Sequence, residues 1–338
     1  MTQARENWID GVKGLTISLV VLHHVLMGIN AGPGFPEGLM EIYLLTTPIR
    51  MPLFFLVAGF FARQALTSDL AAFVDKKVLY FAYFFLLWNS ISVVSRYLLG
   101  NFTNNQVELA QLGRFLWEPS YTLWFLYALL LAFSVARLTR SVPFWLQLAG
   151  ALLLAFVVGF GQSDALPYVF TGTIRFYPFF LCGCYGSTMI RRAVRSGTWS
   201  DILCFTVGYL GLAFLAYRFF AVANPLLYYP MAILSSAAIM CLVCKLDRTA
   251  PGRLLQYVGE RSLPIYLMHF IPAAGVRVVA TKLGFADYPV MILLVGTPVA
   301  ILACLGVNAW LKRTPRLTFL IRRPDWCHYR PASRQMAI

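Results

Sequence analysis

Long apolar stretches recur from one end of this 338-residue chain to the other, and they restrict its fold more than any other feature. The chain is 59% hydrophobic and 12% charged, whereas roughly a quarter of the residues in a typical soluble domain are charged. A water-soluble protein of this length could not bury that much apolar surface, so we expect an all-α, polytopic bundle of membrane helices. About ten transmembrane helices are predicted, at residues 14–30, 45–62, 78–98, 120–136, 142–160, 170–190, 202–221, 226–244, 262–280 and 290–311.

The lysine and arginine residues predict which side of the membrane holds the chain ends. Most of the 28 lie in loops on the side that holds both termini. Because cytoplasmic loops are enriched in these residues, we expect both termini to be cytoplasmic. The same bias accounts for the net charge of +14. The charge therefore does not indicate a nucleic-acid partner. Residues 1–311 are predicted to form one membrane domain and 312–338 a basic cytoplasmic tail, with Arg322, Arg323 and Trp326 resting on anionic headgroups.

The first predicted span carries polar side chains that a membrane helix seldom tolerates. His24 follows Lys13 by three helical turns plus about 20°, and Asp10 lies about one turn before Lys13, so the three share one face. His23 points about 100° away and is expected to serve packing. A charge or an imidazole in hydrocarbon costs several kcal/mol unless it faces a polar cavity or a partner. A functional site is therefore favoured over a helix contact.

The ninth predicted span presents a second polar face. Ser262, Tyr266 and His269 lie within about 60° of one another on a helix. His269 also lies at a depth comparable with that of His24, counted from the same side. The two imidazoles are expected to line one cavity, and a hydrogen-bonded helix contact is the alternative.

Two arginines are further candidates for binding. Arg63, at the cytoplasmic end of the second span, either reaches the headgroups or grips a phosphate. Arg175 lies inside the sixth span, where a fixed cation more often serves binding than packing. Gly59 is expected to permit close helix approach. With four histidines, and with seven cysteines that lie mostly in predicted spans, we expect no metal site and no bound cofactor.

Five short motifs occur in order along the chain, and together they resemble one family. They are Ile9-Asp10 and Lys13-Gly14-Leu15 with ten residues between Lys13 and His24, Pro52-Leu53-Phe54-Phe55 with Ala58-Gly59, Trp124-Phe125-Leu126, Arg175 to Gly183, and Gly259, Ser262, Ile265-Tyr266-Leu267 and His269. This order is similar to that of the acyltransferase-3 family of integral-membrane O-acyltransferases, which has ten spans. One such motif is a weak signal, but five in order are a strong one.

Three positions depart from the family pattern. Lys13 replaces the usual arginine, as in the branch related to fucose and exopolysaccharide O-acetyltransferases. Ala58 replaces a serine, and Arg50 occupies a position where that branch often has histidine. Lys13 still supplies a cation but cannot present the bidentate fork of arginine.

The resemblance implies transfer of an acyl group, acetyl or succinyl, from acyl-CoA to a hydroxyl of a cell-envelope or exopolysaccharide sugar at the cell inner membrane. It implies that His24 is the catalytic residue, because a base near neutral pKa can take the proton of a sugar hydroxyl. A covalent acyl-imidazole is the alternative. The remaining roles that it suggests are support by Asp10, Lys13 and His269, donor binding by Arg63 and Lys13, and acceptor binding by Arg175, Trp124, Tyr266 and Ser262.

A second class of function is a transporter or flippase for a polar or lipid-linked solute, since buried His and Arg suit that role too. Neither paired broken helices nor an inverted repeat is visible in the sequence. Release of free thiol from acetyl-CoA in the presence of glycan distinguishes the two classes. A membrane scaffold, the third reading, leaves the polar groups within the spans unexplained.

Overall fold

Helices make up almost all of the computed structural model, which describes residues 6–29, 38–98, 108–120, 122–160, 166–220 and 224–329. These ranges contain no strand. Their α-helices are α1 Asn7–Ile29, α2 Leu39–Phe60, α3 Ala62–Thr67, α4 Leu70–Phe73, α5 Tyr80–Leu98, α6 Trp124–Leu138, α7 Phe144–Leu154, α8 Tyr168–Ser196, α9 Trp199–Phe219, α10 Pro225–Leu246, α11 Ala250–Gly259, α12 Ser262–Met268, α13 Phe270–Lys282 and α14 Pro289–Arg313. Turns of π-helix follow α4 at Val74–Leu79 and α7 at Ala155–Gly159.

Several helices are long and apolar enough to cross a membrane. The described residues contain 6 such helices: α1, α2, Leu70–Leu98, α9, α10 and α14. If the bent pair of α12 and α13 is counted as one span, the number is 7. This arrangement is that of a multi-pass membrane protein. One other predicted span lies on α8. Two more lie on α6 and α7, and those two are shorter apolar helices. The count of ten and the cytoplasmic position of the termini stay predictions.

The chain divides into two compact units. The first unit comprises Met1–Val57 and Gly186–Gly306, and the second comprises Ala58–Tyr185 and Val307–Ile338. Each is described by itself below.

In the first unit, α1 packs against α11 through glycines of two of the sequence motifs. A Cβ at Gly14 would overlap the carbonyl oxygen of Leu255, and a Cβ at Gly259 would overlap that of Asp10. The two backbones are therefore in direct contact, which small residues allow in membrane helices. These glycines are required by packing.

The predicted ninth span is bent by 55° between α12 and α13. His269 lies at the break. Pro272 explains the bend, because it has no N–H for the carbonyl of Met268 and its ring clashes with that carbonyl. The prediction of one continuous helix over 262–280 is wrong in this respect.

In the second unit, residues 315–329 lie against α5 and the π-helical turn before it; we name them the C-terminal strap. The hydroxyl of Tyr83 donates to the carbonyl of Phe319 at 2.9 Å, and the indole of Trp88 donates to that of Leu320 at 2.9 Å. These bonds fix the first half of the strap to α5.

The second half of the strap is held by Asp75. Arg323 donates to the backbone carbonyl of Asp75 at 2.6 Å and to its carboxylate at 2.8 Å. The backbone N–H of Tyr329 donates to the same carboxylate at 2.8 Å. Arg323 is only 6% exposed, so its predicted contact with headgroups is wrong. Arg322 and Trp326 are exposed, as headgroup contact requires.

Gly14→Ala is expected to destabilise the first unit by about 1–3 kcal/mol, because the added methyl group forces the backbones of α1 and α11 apart. Thermal unfolding of the purified protein in detergent measures the effect. Gly275→Ala is the matched control, since a Cβ there meets no atom within 4 Å. Equal melting temperatures for both variants would contradict the packing role of Gly14.

Arg323→Ala is expected to release the C-terminal strap, with a loss of about 3–5 kcal/mol, because it leaves the Asp75 carboxylate without its buried cation. The rate at which trypsin removes the C-terminal segment measures the release. Arg322→Ala removes an exposed neighbour of the same type and should leave that rate near the wild-type value. The prediction is contradicted if trypsin removes the C-terminal segment no faster from Arg323→Ala than from Arg322→Ala.

Candidate active site

Three imidazoles lie side by side in the first unit. The ring centroid of His24 lies 5.1 Å from that of His23 and 4.8 Å from that of His269. His23 is 6% exposed and His269 is 0% exposed, whereas His24 is only partly buried. His24 is therefore the most exposed residue of this group.

The meeting of His24 and His269 follows from how α1 lies along α11. Gly14 contacts Gly259, the ring of His24 lies beside that of His269, and Gly28 lies near Arg277, so the chain from α11 to α13 follows α1 in the same direction. Each histidine follows its glycine by ten residues. Equal spacing from one shared contact brings the two rings to the same depth.

The hydrogen bonding of His269 fixes its tautomer. Its Nδ1 lies 2.6 Å from the backbone carbonyl of Tyr266. Because a carbonyl oxygen only accepts, Nδ1 carries the proton and Nε2 bears a lone pair in the neutral ring. In the part of the chain that the structure describes, Nε2 is buried without a hydrogen-bond partner. An acceptor is thus available next to His24.

His23 packs against α2. Its ring stacks on that of Tyr43, with centroids 5.6 Å apart and an interplanar angle of 27°. This contact agrees with the packing role expected of His23 from its position on the helix.

Two prolines, Pro48 and Pro52, lie inside α2. They have no N–H for the carbonyls of Leu44 and Pro48. Two other carbonyls of the same stretch accept from outside the helix: the hydroxyl of Tyr209 donates to the carbonyl of Leu45, and that of Tyr228 donates to the carbonyl of Thr47 at 3.3 Å. This stretch of α2 is therefore hydrogen-bonded to α9 and α10.

Arg50 lies in the same turn and is 7% exposed. Its Nε donates to the carbonyl of Thr46 at 3.3 Å, and its Nη2 donates to the hydroxyl of Thr47 at 3.2 Å. The guanidinium is within electrostatic reach of both His23 and His24. A positive charge thus stands beside the imidazoles.

Asp10 and Lys13 form an ion pair, with Lys13 Nζ 2.5 Å from a carboxylate oxygen of Asp10. This ion pair fits the supporting role expected of both residues, and the donor-binding role of Lys13 stays a prediction. Lys13 precedes His24 by about 16 Å along α1, so the two share a face without touching.

Tyr266 and Ser262 lie at different distances from the imidazoles. The ring of Tyr266 is buried, with its centroid 5.8 Å from that of His269. Ser262 begins α12 and lies about 10 Å before His269 along the helix. The structure thus brings only Tyr266 into the imidazole group.

The remaining predicted site residues belong to the second unit. Arg63 is exposed on α3. Trp124 is buried at the start of α6, with its ring centroid 5.0 Å from that of Tyr168. Arg175 donates from Nε to the carbonyl of Gly159 at 2.7 Å. Their proposed roles with donor and acceptor stay predictions.

A sequence profile of the acyltransferase-3 family, described as an acyltransferase domain, matches residues 6–309. The chain belongs to the acyltransferase-3 family. No curated protein and no solved structure matches it. Membership makes this multi-pass membrane protein an acyltransferase, and the family points to a hydroxyl as the acyl acceptor.

No role was predicted for Arg50 from the sequence, which showed only that Arg50 occupies a position where one branch of the family often has histidine. Its burial inside an apolar helix was the available signal, because such charges are functional candidates by default. Its proximity to His24 could not be read from α2 alone.

Proposed function

We propose that this acyltransferase transfers an acyl group, most simply acetyl, from acyl-CoA to a hydroxyl of a cell-envelope or exopolysaccharide sugar. Succinyl is the alternative acyl group. The observation that supports the proposal is the position of the His24 imidazole beside the tautomer-fixed His269. The proposal places the protein in the cell inner membrane, in the branch related to fucose and exopolysaccharide O-acetyltransferases.

His24 acts as the general base. It takes the proton of the sugar hydroxyl while the oxygen attacks the thioester carbonyl, and the resulting tetrahedral intermediate carries one negative charge. Collapse of the intermediate breaks the C–S bond and forms the ester. The coenzyme A thiolate then leaves with the proton that His24 had accepted.

His269 orients His24. In the part of the chain that the structure describes, Nε2 of His269 has no hydrogen-bond partner. In the proposed mechanism it accepts an N–H of His24 when the hydroxyl is bound, so that the other nitrogen of His24 keeps the lone pair that takes the hydroxyl proton. A base that a third group orients is the usual arrangement at acyl-transfer sites. The Tyr266 carbonyl, by fixing the tautomer of His269, completes this chain of hydrogen bonds.

The other site residues are assigned to the two substrates. In the first unit, Lys13, paired with Asp10, is assigned to the donor, and Tyr266 and Ser262 are assigned to the acceptor. In the second unit, Arg63 is a candidate for the donor phosphates, and Arg175 and Trp124 are candidates for the acceptor. In this topology the ten spans leave both termini in the cytoplasm, where acyl-CoA is available.

His24→Ala is expected to lower the rate of acyl transfer by about 10²–10⁴-fold, because general-base catalysis is lost. The measurement is thiol release from acetyl-CoA by the purified full-length protein, with surface polysaccharide from a deletion strain as acceptor. His328→Ala removes an exposed imidazole from the C-terminal strap and should retain activity. A His24→Ala variant that is inserted in the membrane and fully active would refute the proposal.

His269→Ala is expected to lower the same rate by about tenfold, less than His24→Ala, because it removes the orientation of the base and leaves the base itself. His269→Gln offers an amide oxygen as acceptor and should recover part of the rate. A loss as large as that of His24→Ala would contradict the orienting role.

A further inference from the structure

We propose that Arg137 and Arg140, together with Lys77, form a binding site for a phosphate group in the second unit. The phosphate belongs either to coenzyme A or to the headgroup of an anionic phospholipid, and the experiment below distinguishes these two sources. The inference goes beyond the function proposed above, because binding of a phosphate requires no acyl transfer.

Two guanidinium groups converge on one backbone carbonyl. Nη1 of Arg137 and Nη1 of Arg140 both donate to the carbonyl oxygen of Leu66, at 3.2 Å for Arg140. Two cations that share one small acceptor lie close together, and their charges repel each other. The carbonyl oxygen accepts hydrogen bonds but brings no negative charge. The repulsion between the two arginines is therefore not offset by Leu66.

No carboxylate of the described residues pairs with either arginine. Asp69, which follows α3 by two residues, instead caps α4 by accepting the backbone N–H of Ala72 at 2.7 Å. The carboxylate of Asp75 is bound by Arg323 of the C-terminal strap. Because both carboxylates that are near in the sequence serve other partners, the charge of the two arginines is left for an anion.

A third cation lies over the preceding turn of α6. Nζ of Lys77 lies 4.4 Å from the centroid of the Phe133 ring. Phe133 precedes Arg137 by four residues, so the two share one face of α6. The guanidinium of Arg137 lies over the ring of Phe73, 5.3 Å from its centroid. Aromatic faces thus hold two of the three cations without neutralising them.

The hydrogen-bonding capacity of the two arginines fits a phosphate. A guanidinium has five N–H donors in a rigid fork, which matches the oxygens of a phosphate bidentately. Among the described residues, the carbonyl of Leu66 is the one acceptor for each of Arg137 and Arg140. Arg140 is also exposed, so a ligand can reach it from the surface.

A purely structural role for the two arginines predicts a different outcome. Leu66 lies in the last turn of α3, where carbonyls need partners from outside the helix. If the arginines only cap α3, an uncharged donor should replace Arg140 without affecting any ligand. Glutamine at position 140 supplies such a donor and removes the charge.

The test uses the purified full-length protein in nanodiscs of phosphatidylcholine. In one arm coenzyme A is titrated to obtain its Kd, with pantetheine as a control ligand that lacks the phosphates. In the other arm phosphatidylglycerol replaces part of the phosphatidylcholine, and the rise in melting temperature is measured. The arm in which Arg140→Gln loses its response identifies the source of the phosphate.

Arg140→Gln is expected to raise the Kd of coenzyme A about tenfold, or to abolish the rise in melting temperature with phosphatidylglycerol, because a hydrogen bond to a charged group contributes that much binding free energy. Arg140→Lys keeps the charge and should recover part of the response. Arg322→Gln removes an exposed arginine of the C-terminal strap and should match the wild type in both arms.

Three results would overturn the assignment. They are wild-type responses of Arg140→Gln in both arms, an equal loss in Arg322→Gln, and a wild-type protein that binds coenzyme A no better than pantetheine and does not respond to phosphatidylglycerol. A lower melting temperature of Arg140→Gln without either probe, combined with wild-type responses, indicates the structural role. A wild-type protein that binds the phosphate but transfers no acyl group contradicts only the proposed function.

Discussion

Desolvation of polar groups inside apolar helices governs how the first unit is built. Prolines at 48 and 52 interrupt the hydrogen bonding of α2, and hydroxyl groups of Tyr209 and Tyr228 donate to that stretch. The proline at 272 bends the chain at His269, whose ring donates to a backbone carbonyl. The bend near Pro272 thus lies at a member of the imidazole group, and the two other prolines lie in the helix whose Tyr43 ring stacks on His23.

Close backbone packing supplies the second constraint. The contact between Gly14 and Gly259 sets the register of α1 on α11, and both imidazoles lie ten residues beyond it. A larger residue at either glycine would separate the helices and shift one ring relative to the other. In the proposed mechanism these two glycines touch no substrate. They nevertheless control the relative positions of the two imidazoles.

The sequence allowed part of this arrangement to be predicted. The shared depth of His24 and His269 follows from helix rise, and the pairing of Asp10 with Lys13 follows from their spacing of one turn. The place of Arg50 could not be predicted, because it depends on how α2 packs beside α1, and no periodicity encodes that packing. The strap was assigned to the headgroups because basic residues near a membrane usually bind them; its burial depends on Asp75, which lies far away in the chain. Pro272 could have predicted the bend in the ninth span.

The strap also bears on how much of the chain constitutes the folded unit. The family profile ends at residue 309, yet residues 315–329 are held by Tyr83, Trp88 and Asp75. A protein shortened to the limits of the family would lose Arg323, the ion-pair partner of Asp75, and the backbone carbonyls to which Tyr83 and Trp88 donate. Domain limits drawn from family similarity would therefore yield a less stable protein than limits drawn from the contacts of this chain.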